Sequence, residues 1–224
     1  MVYKGEYYAG KRHGRGILTL KDGSIYEGNF YQGKKQGFGK ILWPSGNYYE
    51  GDFSDGVKSG HGIMHWVTRN EKYDGEWKLD KPEGLGTHVW LEQKKEHQIL
   101  RNRYQGEFLN GLRHGFGTFF YANGARYEGE WFENMKHGYA CFITEHEQTS
   151  YHLFERNKSI KDIDVKNDLL TILIHQDKVD KGMIQNSPGD EKSRTIEVGG
   201  HASKRAPSKN QIKEASLLVP KIEL

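Results

Sequence analysis

From residue 3 to about residue 154 the chain alternates apolar and polar positions in short bursts, and the bursts repeat. In segment 26–30, Tyr26, Gly28 and Phe30 occupy one set of alternate positions while Glu27 and Asn29 occupy the other. A period of two describes a strand with one packed and one wet face. Segments 49–53, 73–77, 104–108 and 127–131 carry the same pattern. Each is followed by a turn residue and then by a second short segment containing Gly-x-Gly or its remnant. The full unit reads Tyr-x-Gly-x-(Tyr/Phe/Trp)-x-x-Gly-x-x-x-Gly-x-Gly, a strand, a turn and a return strand.

Six copies begin at Tyr3, Tyr26, Tyr49, Tyr73, Tyr104 and Tyr127, at gaps of 23, 23, 24, 31 and 23 residues, so one insertion separates the fourth and fifth copies. The turn position needs φ > 0, which Gly33, Gly56 and Gly111 supply and which Asp80 and Asn134 tolerate. Asp22-Gly23, Ser45-Gly46 and Asn123-Gly124 mark the turns between units. A lone hairpin is marginal in water, so the units must stack. The predicted fold is all-β: an elongated, single-layer antiparallel sheet of repeated β-hairpins, a solenoid. An aromatic spine runs through Tyr26, Phe30, Tyr49, Phe53, Tyr73, Trp77, Tyr104, Phe108, Tyr127 and Trp131, with tyrosine hydroxyls expected to stay wet.

The array is predicted over 1–157, where a broken seventh copy at Ser150, His152, Phe154 and Asn157 serves as a capping strand. The insertion occupies 91–103. No aromatic residue follows Phe154. Residues 158–185 are predicted to include a short helical segment, because Val165, Leu169, Leu170, Ile172, Leu173 and Ile174 are apolar; a partner-binding segment is the competing reading. The polar composition of 186–224 predicts a disordered tail.

Composition narrows the function. At 35% hydrophobic residues with 28 glycines, the chain lacks material for a thick core. A net charge of +3 does not suggest nucleic-acid binding by bulk attraction. The single cysteine, Cys141, has no partner for an internal disulfide, and neither a membrane-spanning run nor a secretory leader is recognisable. An intracellular, cytoplasmic protein is expected. His13, His114 and His137 recur in different repeats and should not converge on a metal. No nucleophile, phosphate-loop or dinucleotide motif occurs, so an enzyme is not expected, nor any cofactor or metal. Glu27, Glu50, Asp52, Asp74, Glu76, Glu107, Glu128 and Glu130 repeat too regularly for a catalytic pair and read as a solvated face.

Basic residues gather at the turn after each first strand, including Lys34, Lys35, Lys58 and Lys81, and regular spacing would line them along one sheet edge. A soluble edge is the plain reading; a linear strip for acidic partners, such as lipid head groups or tubulin tails, is the sharper one. The insertion, with Lys94, Lys95, His97, Arg101 and Arg103, is the other candidate contact, since loops concentrate function.

The repeat resembles the MORN (membrane occupation and recognition nexus) family over residues 3 to about 157. The run Met64-His-Trp-Val-Thr-Arg-Asn-Glu-Lys-Tyr73, then Gly86-Thr-His-Val-Trp90, the insertion ending in Leu100-Arg-Asn-Arg-Tyr104, and Gly106-Glu-Phe-Leu-Asn-Gly111 with Arg113-His-Gly115 are similar to the radial spoke head 10 homolog B family. That resemblance implies a structural scaffold of the ciliary or flagellar axoneme, part of the cytoskeleton, whose partners are other radial spoke head or axonemal proteins. A second copy of the chain and anionic lipid are the further candidate partners.

Overall fold

A computed structural model describes residues 1–91 and 100–164, and over them the chain forms one 14-stranded antiparallel sheet whose strands lie in sequence order. The first three hairpins pair β1 (Val2–Tyr8) with β2 (Lys11–Thr19), β3 (Ile25–Tyr31) with β4 (Lys34–Leu42), and β5 (Tyr48–Ser54) with β6 (Val57–Trp66). The next two pair β7 (Glu71–Lys78) with β8 (Lys81–Trp90) and β9 (Arg103–Leu109) with β10 (Leu112–Phe120). The last two pair β11 (Arg126–Phe132) with β12 (Met135–Ile143) and β13 (Thr149–Glu155) with β14 (Lys158–Asp162). A 3-10 turn at Val67–Arg69 absorbs the extra residue between the third and fourth repeats and ends on Asn70 at φ 52°.

Residues 158–162, expected to lie beyond the array, form a strand. Arg156 and Asn157 take φ 47° and 70°, which doubles the chain back so that Ser159 pairs with Phe154. The sheet therefore continues past residue 157 to Asp162, and the degenerate seventh copy is a complete hairpin rather than one capping strand. The predicted apolar segment from Val165 and the tail at 186–224 lie outside the described residues.

Each hairpin turn uses two successive residues with positive φ, as at Gln32 (48°) and Gly33 (88°) or Leu79 (49°) and Asp80 (68°). Such a pair matches the right-handed twist of the flanking strands. The sequence pattern exposes only the second of these positions, because the first is held by Ala9, Gln32, Asp55, Leu79, Asn110, Glu133 and Arg156, which share no chemistry. Turns also bind one another. The turn N–H of Gly33, Gly56, Asp80, Gly111, Asn134 and Asn157 donates to a carbonyl of the preceding hairpin, at 2.8–3.1 Å. Where glycine is replaced, the new side chain adds a bond. Asp80, Asn134 and Asn157 accept the backbone N–H of Lys58, Arg113 and Lys136 at 2.9, 2.9 and 2.8 Å.

The core is the spine. Tyr26, Tyr49, Tyr73, Tyr104 and Tyr127 have no solvent exposure, each lying over a pair of facing small residues. Gly28 faces Gly39, Gly51 faces Gly62, Gly75 faces Gly86 and Gly106 faces Gly117, with Gly129 facing Ala140 in the sixth unit. A methyl on Gly28 or Gly39 would meet the Tyr26 ring. Contrary to the expectation of wet hydroxyls, Tyr26, Tyr49, Tyr73, Tyr104 and Tyr127 each donate to a backbone carbonyl three residues on, at 3.0 Å. Each ring also stands edge-on to two others. Tyr49 meets Phe53 of its own strand at 5.2 Å and Trp77 of the next repeat at 5.2 Å, both near perpendicular. Such contacts add about 0.5–1.5 kcal/mol each beyond buried area, and they link every repeat from Tyr3 to Phe154.

Two substitutions one turn apart separate these roles. Gly62→Ala drives a methyl into the Tyr49 ring and should cost about 2–4 kcal/mol in urea unfolding. Gly56→Asn places an acceptor beside the Lys35 N–H and should be neutral or stabilising by up to about 1 kcal/mol. Equal losses would show that the paired glycines are not the tight point.

Candidate interaction surfaces

The predicted basic strip divides in two. Pairing sets Phe30 opposite Lys35, Phe53 opposite Lys58, Phe108 opposite Arg113 and Trp131 opposite Lys136, so these cations share the spine face. Each lies over rings of two repeats. Lys35 Nζ is 5.3 Å from the Tyr26 centroid and 5.1 Å from that of Phe53, and Lys58 Nζ is 4.2 Å from that of Trp77. Arg113 and Lys136 repeat the arrangement over Trp131 and Tyr127, at 4.6 and 4.7 Å. Burial holds the Lys35 and Lys58 ammonium groups below their ordinary pKa. These side chains join neighbouring repeats. In the fourth hairpin Pro82 stands opposite Trp77 instead.

Lys34 and Lys81 are exposed and turn to the outer edge, as does Lys11. Lys34 pairs with Asp55 at 2.8 Å, with both groups largely solvated, and Lys81 reaches the Asn110 amide oxygen at 3.4 Å. Exposed pairs of this kind contribute little. Of the insertion candidates, Lys94, Lys95 and His97 lie outside the described residues. Arg101 is exposed, and Arg103, which opens β9, places its guanidinium 3.9 Å from the Phe120 ring centroid. The insertion's flanks are fixed: Trp90 N–H donates to the Asn102 carbonyl at 3.1 Å and Ala122 N–H to the Asn102 side chain at 2.8 Å.

Beside that loop lies a group that the repeat pattern conceals. His88 stacks on Trp90 at 4.4 Å and 12°, and its Nε2 is 3.3 Å from a Glu71 carboxylate oxygen, within ion-pair range but without hydrogen-bond alignment. Burial lowers its pKa against the opposing pull of Glu71. In sequence His88 is one histidine among 11, and only the pairing of β7 with β8 brings Glu71 to it.

The opposite face carries the carboxylates, which are not simply solvated. Glu6, Asp52, Glu76, Glu107 and Glu130 each accept the backbone N–H nine residues on, at a bulge following the paired glycines. At the bulge, Gly60 has φ 74° and a methyl there would press on Asp52, so one residue type answers both demands. The second acidic row is ion-paired: Glu50 with Lys40 at 3.2 Å, Asp74 with Lys72 at 3.1 Å, Glu128 with Arg126 at 2.8 Å. Between the rows runs an open groove of about 630 Å³, lined by Ile17, Glu27, Asn29, Phe38 and Lys40. It meets a smaller one of about 320 Å³, where Phe38 faces His61 and Ile63.

No group of three or more metal-ligating side chains occurs among the described residues. Burial, chiefly, pushes the Cys141 thiol up to about 11, where it is a poor nucleophile. No helix among the described residues is long and apolar enough to cross a membrane.

A family model for the MORN repeat matches residues 3–25, 26–48, 49–71, 73–90, 104–126 and 127–144, more than half of the chain. Among solved structures, the TCP domain of SAS-4 (dCPAP) of Drosophila melanogaster, solved in complex with a proline-rich motif of Ana2 (dSTIL), is similar over 62% of this chain and 83% of its own, at 11% identity and a TM-score of 0.32.

The spine sets a pH dependence. Unfolded tyrosines ionise near 10, whereas burial pushes Tyr26 up to about 12 and raises Tyr49, Tyr73, Tyr104 and Tyr127 as well. Between pH 10 and the folded values the unfolded chain has lost protons that the sheet retains, so stability is full below 10 and falls as pH rises through that window. The lowered Lys35, Lys58 and Arg113 act in the opposite sense, and the raised tyrosines outnumber them. Tyrosinate absorbance should show five of the 13 tyrosines ionising only as circular dichroism reports unfolding; a single smooth titration of all of them in the folded state would contradict the buried spine.

Proposed function

This chain belongs to the MORN-repeat family, and from that premise we propose that it is a non-catalytic assembly scaffold of the ciliary or flagellar axoneme, a radial spoke head component holding neighbouring spoke proteins. The family is a structural repeat module, and this sheet has the character of a scaffold. Ring contacts, cation contacts and turn bonds all run from repeat to repeat, so the sheet resists bending over its length and carries separate surfaces on its faces and edges.

The observation that carries the axonemal reading is the insertion at 91–103. Its place in the array and the residues that flank it resemble those of the radial spoke head 10 homolog B family. The flanks Trp90, Asn102 and Arg103 are held by the sheet, which presents the loop from a rigid base, the arrangement a specific contact needs. Immunolocalisation of the tagged chain in ciliated cells should stain the axoneme and remain after detergent removes the ciliary membrane. A signal confined to cytosol or plasma membrane would end this reading.

One observation favours a second role, membrane association: Lys11, Lys34 and Lys81 are exposed along one turn edge. Sedimentation with anionic liposomes compares wild type with Lys34→Glu/Lys81→Glu, which spares the ring-bound Lys35 and Lys58. Membrane association requires the double variant to lose at least about tenfold in binding, since each lysine near an anionic surface contributes about 1 kcal/mol. Equal binding, or none by either protein, rules out the edge.

A further inference from the structure

The two ends of the sheet are not alike. At the C-terminal end of the described sheet, β14 is a strand of five residues that includes Lys158 and Lys161, and it bulges at Ile160, between the pairs Leu153–Lys161 and Phe154–Ser159. A short strand, edge lysines and a bulge all discourage further pairing. At the other end β1 has seven residues and, among the described strands, hydrogen-bonds only to β2. Along it Met1, Val2, Tyr7 and Tyr8 are exposed at 72, 58, 62 and 72%. Tyr7 holds the place of the second spine ring. Every later ring there, such as Phe30 or Phe53, also meets the tyrosine of the preceding repeat, at 5.1 or 5.0 Å, while Tyr7 meets only its own Tyr3.

The pairing rule of the sheet states what this edge will accept. Each inner first strand is met on the same side by an antiparallel strand that sets glycine opposite its central glycine, as Gly16 opposite Gly28 and Gly39 opposite Gly51. A strand beside β1 should therefore set glycine opposite Gly5. β1 itself meets that demand.

We propose that two copies of this chain pair edge to edge through β1, antiparallel about a two-fold axis at Gly5. In this register Tyr3 faces Tyr7 of the second copy, Lys4 faces Glu6, and Val2 faces Tyr8, each pair occurring twice. The rings gain cross-strand aromatic partners and the charges are opposite in sign. Glu6 Oε1 accepts the Arg15 N–H of β2 at 2.9 Å, so the Lys4 side chain of the second copy must reach across β1 to meet it. Competing registers fail. A shift of one residue turns the spine rings to the wrong face. A shift of two in either direction sets Lys4 against Lys4 or Glu6 against Glu6 on the axis. The result is a continuous sheet of two arrays, with β14 the outermost described strand of each. This pairing stands independently of the axonemal reading.

Sedimentation equilibrium of the full chain at micromolar concentrations tests it. Wild type should form a dimer. Lys4→Glu, at an exposed position, should leave the circular dichroism unchanged and weaken dimerisation by about tenfold or more, since two attractive pairs become repulsive. Glu6→Lys should do likewise, and an equimolar mixture of the two variants should recover the dimer as a heterodimer. If Glu6→Lys loses its fold with the Arg15 contact, Lys4→Glu still decides. A monomeric wild type, a Lys4→Glu dimer as tight as wild type, or an open series of higher oligomers from β1 meeting β14, each overturns the proposal.

Discussion

The sheet depends on one contact, a tyrosine ring lying flat over two facing glycines of adjacent strands. The absence of Cβ atoms at Gly51 and Gly62 lets Tyr49 sink onto the backbone until its hydroxyl reaches the Asp52 carbonyl. A ring placed so low is sealed by its neighbours, which explains how a layer one sheet thick has residues with no solvent exposure. A two-layer protein seals its core with a second sheet or with helices. This one does so with rings that stand edge-on across repeats and with lysine and arginine stems laid over them.

Once the ring occupies that position, other features follow. The return strand must bulge to pass the hydroxyl, the bulge strands a backbone N–H, and a carboxylate on the other face accepts it in five of the repeats. Facing Phe38, Asn29 takes that place with its amide donating to the Phe38 carbonyl at 3.4 Å, the reverse polarity. The cations have a similar dependence. Lys58 lies opposite Phe53, where its ammonium covers the ring gap between Tyr49 and Trp77. The ring-bound cations and the bulge carboxylates thus serve cohesion. Exposed among the described residues are the outer turn edge, the groove past Phe38 and the strand β1.

A scaffold needs this separation. Its internal contacts must repeat, while a partner must find a place that does not. The 3-10 turn at Val67–Arg69 and the His88–Trp90 stack both fall within the third and fourth repeats. There, among the described residues, side chains outside the repeat consensus are held in fixed positions.

The sequence by itself determined the fold class, the number and spacing of the six clear units and the alternating aromatic pattern of their first strands. These follow from a period of two and from glycine's lack of a side chain, both local properties. Tertiary structure decided which polar residues are free. Lys34 and Lys35 are adjacent and chemically equal in sequence, yet the pleat sends one to solvent and the other over two rings. Asp52 and Glu50 share a face in any strand, but the bulge on the neighbouring strand gives Asp52 a backbone bond while Glu50 finds Lys40. The seventh hairpin, too, became visible only when Arg156 and Asn157 turned the chain onto β13. Pairing between strands distant in sequence makes these choices, and a residue pattern read along one chain does not contain the neighbour.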